Sequence, residues 1–371
     1  MSKLNNGDFP KCPPDRIGWP WTEEISPSIY SSDISYPKIT IVTPSFNQGE
    51  FIEETIRSIL LQNYPNLEYI IIDGGSSDGT IEIIKKYSPY LSYWVSEIDA
   101  GQSDAINKGI RKATGDLFNW LNSDDYLERN ALFEIAEAYR GNASKKVFCF
   151  GLSHLSNGEI IPFTKYTDPS DVQKCYCDPI IIQPATFFSL DNDNSIVELS
   201  RELHFTMDYE LWLRFLFLYG TESIFVSQKS VAVFRLHNES KTASGRVHFI
   251  SDIALILHSL LVQNKKNKLA QLFESKNSIN PNYSFSINVP ANNLEIVERM
   301  AVYFLLKWYR VIKTKKDFEF AKRMIHEIDF GKYKLNSTEI GWLQGMKKDA
   351  KGSWFFLRLK RKIKRIMNDG K

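Results

Sequence analysis

The sequence predicts an α/β fold, a doubly wound and mostly parallel sheet with a mixed-sheet extension, followed by a helical C-terminal domain. Three observations predict it. Strand-like and helix-like segments alternate four times between residues 38 and 139 with short links, the pattern of right-handed βαβ units. Between 145 and 236, strand-like runs separated by turns predominate. Beyond Ser244 the apolar residues recur almost everywhere at helical spacing.

The elements follow in order. Residues 1–37 carry Pro10, Pro13, Pro14, Pro20, Pro27 and Pro37, which exclude regular helix; Trp19, Trp21 and Tyr30 predict an arm packed on the body. Residues 39–43 (ITIVT) are β-branched and continuous, as in a buried parallel strand. Helix 50–61 places Ile52, Ile56, Ile59 and Leu60 on one face. Strand 68–72 is followed by helix 79–87, with Ile83, Ile84 and Tyr87 inward. Strand 91–95 is followed by helix 103–113, with Ala105, Ile106, Gly109, Ile110 and Ala113 on one side. Strand 116–121 and helix 128–139 complete the alternation. KKVFCFGL, EIIPF and IIIQPATFF read as strands, 208–219 as an aromatic-rich helix and 223–236 as strand again. Ile253, Ile256, Leu257, Leu260 and Leu261 share one helical face; Leu294, Val297, Met300, Phe304, Trp308 and Val311 share another. The expected domains are an arm at 1–37, an α/β domain at 38–245, and a helical domain at 246–371 with a basic amphipathic tail at 351–371.

Composition narrows the class. A chain of 371 residues suggests two or three domains. A formal charge of +2 argues against a protein built wholly around nucleic acid. Cys175 and Cys177 form a CxC too tight for the usual zinc pairs, and the four cysteines read as free thiols in a reducing cytosol. The N-terminus has no apolar stretch resembling a signal peptide. The most apolar windows, 212–219, 253–262 and 301–312, fall short of the ~20 residues of a spanning helix.

Ligands of an open parallel sheet bind beyond the carboxyl ends of its strands. Four loops are expected there: TPSFNQG (43–49), DGGSSDGT (73–80), the stretch Glu97 to Asp104, and NSDD (122–125). They are rich in Asp, Asn, Ser and Gly. Acids facing one cleft repel, so they call for a cation or a hydroxyl-rich ligand. Asp124 and Asp125, directly after an apolar strand, suit an oxygen-ligated Mg²⁺ or Mn²⁺ that carries substrate phosphates. They equally suit a plain helix N-terminus. The glycine-rich loop is not G-x-G-x-x-G and follows the second strand, which disfavours a nicotinamide-binding domain; a P-loop and a G-x-S-x-G elbow are also missing.

The run ITIVTPSFNQGEFIEETIRSILLQNYPNLEYIIIDGGSSDGT, followed by DAGQSDAINKGIRKATGDLFNWLNSDDYL, resembles family 2 glycosyltransferases of the GT-A fold from residue 38 to about 243. The resemblance implies a nucleotide-diphosphate sugar donor, a divalent metal and inversion at the anomeric carbon. It places Pro44, Ser45 and Asn47 along the base and ribose, and Asp73 at the base. Gln102, Asp104 and Lys108 fall on the donor side. Many members carry Arg where this chain has Ile106, so Lys108, a later basic residue or the metal alone would meet the phosphates. The DxD-like element matches Asn122, Asp124 and Asp125. Asp125 is the first choice for metal ligand, with Asp124 on the ribose or the metal. In FTMDYELWLRF, Asp208 fits the general base, with Glu210 as alternative and Trp212 as packing or acceptor platform. An acceptor hydroxyl must lose a proton as it attacks, so a carboxylate must lie within its reach. His237 in FRLHNESKT matches an RxH element that completes the metal shell or touches the diphosphate, and Arg235 could pair with the diphosphate or a core acid. Gln183 is expected on the acceptor side.

From Lys347 to Lys371 the charge is +8, leaving −6 on the rest. As a helix, 353–367 puts Phe355, Phe356, Leu359, Ile363, Ile366 and Met367 on one side and basic residues on the flanks, the signature of a helix lying on an anionic membrane. A solvated helix docked on the protein's own core has the same pattern. The expectation is therefore a cytoplasmic, metal-dependent (Mn²⁺ or Mg²⁺) inverting glycosyltransferase, peripheral on the inner face of the membrane. It would move one sugar, with UDP as the favoured carrier, to a glycan or lipid-linked acceptor in cell-surface polysaccharide synthesis. The membrane spans and QxxRW motif of processive synthases are missing, hence single-sugar transfer. The rivals are a sugar nucleotidyltransferase and a non-catalytic nucleotide-sugar-binding subunit; no nucleic-acid partner is expected.

Overall fold

Strand β1 (Ile39–Ser45) is buried along its whole length, because helices cover both faces of the parallel part of the sheet. Parallel neighbours flank it: β2 (Leu67–Asp73) and then β3 (Tyr93–Ser96) on one side, β4 (Leu117–Trp120) on the other. Helices α1 (Ile52–Leu60), α2 (Thr80–Tyr87) and α3 (Gln102–Ile110) make the crossovers, as the alternation predicts. The computed structural model describes residues 9–156, 158–163, 165–190, 194–237, 245–277, 279, 283 and 285–369. The end of FRLHNESKT and the side chains of Ile363, Ile366 and Met367 lie outside them.

Pairing becomes mixed beyond β4: it is antiparallel except for one parallel pair, between residues 147–155 and 224–235. The order is β3-β2-β1-β4-β8-β6-β9-β5, with β7 (Glu159–Phe163) on β6 (Val147–Ser156). Here β5 is the short Tyr126–Leu127, β8 is Thr186–Ser189 and β9 is Ile224–Arg235. Helix α4 (Ala131–Gly141) starts later than the sequence predicts, because Tyr126 and Leu127 pair with Val233 and Ala232 of β9. Of IIIQPATFF only 186–189 is strand; Pro184 sits in a 3₁₀ turn at Gln183–Ala185. The CxC belongs to a short helix, α5 (Val172–Cys177), and α6 spans Met207–Tyr219.

Two features set the upper edge of this sheet. Ser45, Asp73 and Ser96 stand in register at the ends of β1, β2 and β3, so their loops rise side by side. Gly109 lets α3 lie directly on β1, since a Cβ there would overlap the Val42 methyls. The N-terminal arm does pack on the body. The buried Arg57 of α1 donates to the carbonyls of Pro10, Pro20 and Trp21 and stacks against Phe9 and Trp21.

The chain divides into two compact units, Met1–Arg246 and Val247–Lys371. The second is built of α7 (Arg246–Gln263), α8 (Asn267–Lys276), α9 (Leu294–Tyr309), α10 (Lys315–Glu327), α11 (Ser337–Ala350) and α12 (Trp354–Asp369). Helix α9 is apolar on nearly every side and buried accordingly, but Val311, expected on its face, lies past its end and is exposed. Among the described residues no helix is long and apolar enough to cross a membrane.

Candidate active site

The loops at the carboxyl ends of β1 to β4 enclose a cleft of about 740 Å³. Pro44, Ser45, Gln102, Asn122, Asp124 and His237 line it, all of them expected at the site. Residue types suited to turns make the loops: Asn47, Gly75, Gly79 and Gly101 all have positive φ. Asn47 cross-braces the first two loops, its N–H donating to Ser76 Oγ (2.7 Å) and its Oδ1 accepting from Ser77 N (2.9 Å).

Asp73 is corrected. Its carboxylate is fully buried and accepts from Gly75 N, Ser76 N, Ser76 Oγ and Ser96 Oγ. Held by these four donors it anchors the second loop, and the cleft wall there is the backbone of Gly74 and Gly75. A side chain at Gly74 would meet the Asp99 carboxylate, which would have to shift to admit it.

The two carboxylates of NSDD part company. Asp125 is completely buried; its Oδ1 accepts from Arg235 N at 3.0 Å and its Oδ2 is without a partner. Burial and the Asp124 charge push its carboxyl well above the usual range, against the pull of Arg235 and Asn122. Asp124 instead faces the cleft with Oδ2 at 2.9 Å from His237 Nε2. The order expected from sequence is thus reversed: Asp124 presents the carboxylate and Asp125 supports the loop. His237 arrives from beyond β9 and stacks on Phe51 at 5.2 Å.

Arg235 couples the pieces. Its guanidinium reaches the Asp124 carbonyl (2.6 Å) and Glu54 (2.7 Å) between the rings of Phe51 and Tyr126. Of the two roles open to it in the sequence, it takes the core acid. Gln102 Nε2 donates to Asn122 Oδ1 at 2.7 Å, tying α3 to the fourth loop.

Other expected residues stand aside from the cleft lining. Lys108 pairs with Glu97 (2.8 Å), which raises its pKa, and Asp104 pairs with Arg201 (3.0 Å). Gln183 donates its amide to Asn119 Oδ1 and the Trp120 carbonyl. Asp208 is half-buried in the first turn of α6, accepting from Tyr209 N at 2.8 Å. Trp212 takes packing, the first of the two roles open to it, wholly buried with its indole N–H on the Cys175 carbonyl, and Glu210, the alternative base, is buried against Arg214 at 2.8 Å. Burial pushes the Glu210 carboxyl up although Arg214 opposes it. Both serve packing.

Sequence reading missed the apolar part of the cleft: Phe46 and Ile98, 60% and 89% exposed, and Phe234. A large apolar residue inside an otherwise polar loop, as in TPSFNQG, was the available signal for Phe46.

Among the described residues no three His, Cys, Asp or Glu side chains gather to hold a metal by themselves. Asp124 and His237 nevertheless fit a divalent ion that brings a diphosphate with it, since such ions take only one or two protein ligands beside phosphate oxygens and water.

The family model described as Glycosyl transferase family 2 matches residues 40–161. An uncharacterized glycosyltransferase of Mycobacterium tuberculosis, Rv1514c, is 35% identical over 124 residues, 33% of this chain and 47% of the relative. The provisionally named teichuronic acid biosynthesis glycosyltransferase TuaG of Bacillus subtilis is 34% identical over 99 residues, 26% of this chain and 39% of its own. The chain thus spans about half the length of these curated relatives or less. Among solved structures, TarS 1–349 of S. aureus in complex with UDP superposes with a TM-score of 0.51 at 18% identity, over 86% of this chain and 93% of that one. Strands β1 to β4 and their four loops thus lie inside or beside the segment that matches glycosyl transferase family 2, within a fold shared with TarS.

Proposed function

We propose that the protein is a metal-dependent, inverting glycosyltransferase that moves a single sugar from a nucleoside-diphosphate sugar to a glycan or lipid-linked acceptor. The observation that carries this reading is the Asp124–His237 pair, 2.9 Å apart, on the wall of a cleft made by the ends of four strands. UDP is the favoured carrier, supported by the UDP complex of TarS, a structure of the same fold. The relative TuaG, named for teichuronic acid biosynthesis, supports a cell-surface polysaccharide as product. The basic tail supports a place at the inner face of the cytoplasmic membrane.

The donor's base and ribose lie along Pro44, Ser45 and the Gly74–Gly75 backbone, beside the exposed ring of Phe46. Asp124 and His237 would hold a Mn²⁺ or Mg²⁺, whose positive charge would stabilise the diphosphate as leaving group. Arg235 and the buried Asp125 keep the loop carrying Asp124 in place. Asp208 is the general base. The acceptor oxygen attacks the anomeric carbon on the face opposite the diphosphate, the carbon–oxygen bond to phosphate breaks, and the hydroxyl proton passes to the Asp208 carboxylate. One displacement gives inversion. The base role of Asp208 is supported by its match to the family motif and by its half-buried place in the first turn of α6.

The test is release of nucleoside diphosphate from UDP-sugars with Mn²⁺, with and without glycan acceptors. Asp208→Asn is expected to keep UDP affinity and to lower turnover about 10²-fold or more. Normal turnover with acceptor removes the base assignment. Donor binding without any transfer or hydrolysis favours the non-catalytic subunit, and formation of a nucleotide sugar from a nucleoside triphosphate favours the nucleotidyltransferase.

A further inference from the structure

Helix α12 presents two opposite faces. Leu357 is buried and Arg361, one turn on, reaches Asp349 (2.8 Å) and the Ile312 carbonyl, while Trp354 meets the Phe318 ring. This face holds the helix on the second unit. Phe355, Phe356 and Leu359 occupy the other side of the wheel and are 68%, 68% and 43% exposed. Two neighbouring phenylalanine rings left in water are costly, so this face is built to be covered.

Beside it runs a groove of about 520 Å³ lined by Arg310, Trp342, Lys348, Lys360 and Arg361. Arg361 is neutralised by Asp349. Among the described residues, no carboxylate pairs with Lys348 or Lys360. Arg310 stacks on Trp342 at 4.3 Å. Cationic side chains next to an outward apolar face are complementary to one kind of surface, anionic headgroups over acyl chains.

We infer that α12 and this groove form a lipid-docking surface, in which Phe355, Phe356 and Leu359 enter the headgroup boundary and Lys348 and Lys360 bind lipid phosphates. The inference rests on the membrane-side location proposed above and deepens it, naming the face and the chemical group recognised. It also resolves the two readings of the tail, since one face docks on the protein and the other is free for the bilayer.

Co-sedimentation of the full chain with phosphatidylcholine vesicles, with and without phosphatidylglycerol, tests it at low and high salt. Lys348→Gln/Lys360→Gln is expected to weaken binding to anionic vesicles about 30-fold at low salt, from roughly fivefold per charge. Phe355→Ser/Phe356→Ser is expected to lose about tenfold or more, and to lose it at high salt too, because burial of rings is not screened. UDP affinity and melting temperature of both variants stay at the parent values, which shows that the fold and the donor site are intact. If the full chain binds anionic vesicles and the serine variant binds equally well, the docking face is wrong while charge-driven attachment stands. If the full chain ignores anionic vesicles, both readings fall. If it instead self-associates without lipid and the serine variant is monomeric, the face is an interface between copies and the lipid assignment is overturned.

Discussion

Asp124 and Asp125 are adjacent, chemically identical and differently used. Burial separates them: Asp125 is shut behind the loop with a raised pKa, and Asp124 stands at the cleft beside His237. The proposed metal site therefore depends on Asp124 and His237. Asp124→Asn and His237→Ala are each expected to weaken Mn²⁺-dependent UDP binding about tenfold or more, since a lost charge-assisted contact is worth roughly 1.5–3 kcal/mol. Asp125→Asn keeps the acceptor for Arg235 N and is expected to leave that affinity nearly unchanged. Isothermal titration of UDP with Mn²⁺ measures all three; loss of binding in Asp125→Asn with Asp124→Asn unaffected reverses the assignment.

At the scale of elements, the cleft is as precise as the seating of its helices and strands. Helix α3 reaches the cleft through Gln102 and Ala105, with Gly101 just before it, and its height over β1 is set at Gly109 by the Val42 methyls. Gly109→Ala must push helix and strand apart, at a cost of about 1–3 kcal/mol for overpacking. The expected result is a lower melting temperature with a parallel loss of UDP affinity, read by thermal unfolding with and without UDP. Unchanged stability would mean that α3 rides higher than described. On the opposite flank, the two-residue β5 bonds to β9, and Arg235 at the end of β9 clasps the Asp124–Asp125 loop. This pairing brings residues more than a hundred positions apart to one point.

For the molecule as a whole, each unit sets buried charge within an apolar core. The first has a large apolar core around β1 and β2. The helical unit adds buried charge: Arg299 with Glu339, and Glu298, which accepts from Lys332 (2.7 Å) and Tyr333 (2.8 Å) and pairs with Lys266. Burial opposes ionisation of Glu298, but these donors outweigh it and hold its carboxyl at about 2. A carboxylate lowered in the folded state contributes stability that is full above its unfolded pKa of about 4.3 and fades as pH falls toward the folded value. Glu298→Gln is expected to lower the melting temperature of the helical unit at pH 7 by several degrees, with the parent and variant curves converging as the pH approaches 2. A constant gap across that range would show that the carboxylate charge is not what stabilises the unit.

The alternation of β1 to β4 with α1 to α3, and the four loops that follow the strands, were determined by the sequence alone, because strand and helix periods and turn residues are local properties. Those same loops held Asp124, Gln102 and Asn122, so the cleft's address was legible before any coordinates. His237 was legible by resemblance to a family motif. Only the tertiary structure decided which of Asp124 and Asp125 meets the cleft, that Asp73 is consumed by its own loop, and that Trp212 and Glu210 turn into the core. Burial is a property of what packs around a residue, and an acid beside a strand end has the same local sequence whether it faces solvent or protein. Strand β5 was beyond sequence reading for a related reason: two residues carry no period, and their extended shape exists only because β9, far along the chain, supplies the hydrogen bonds.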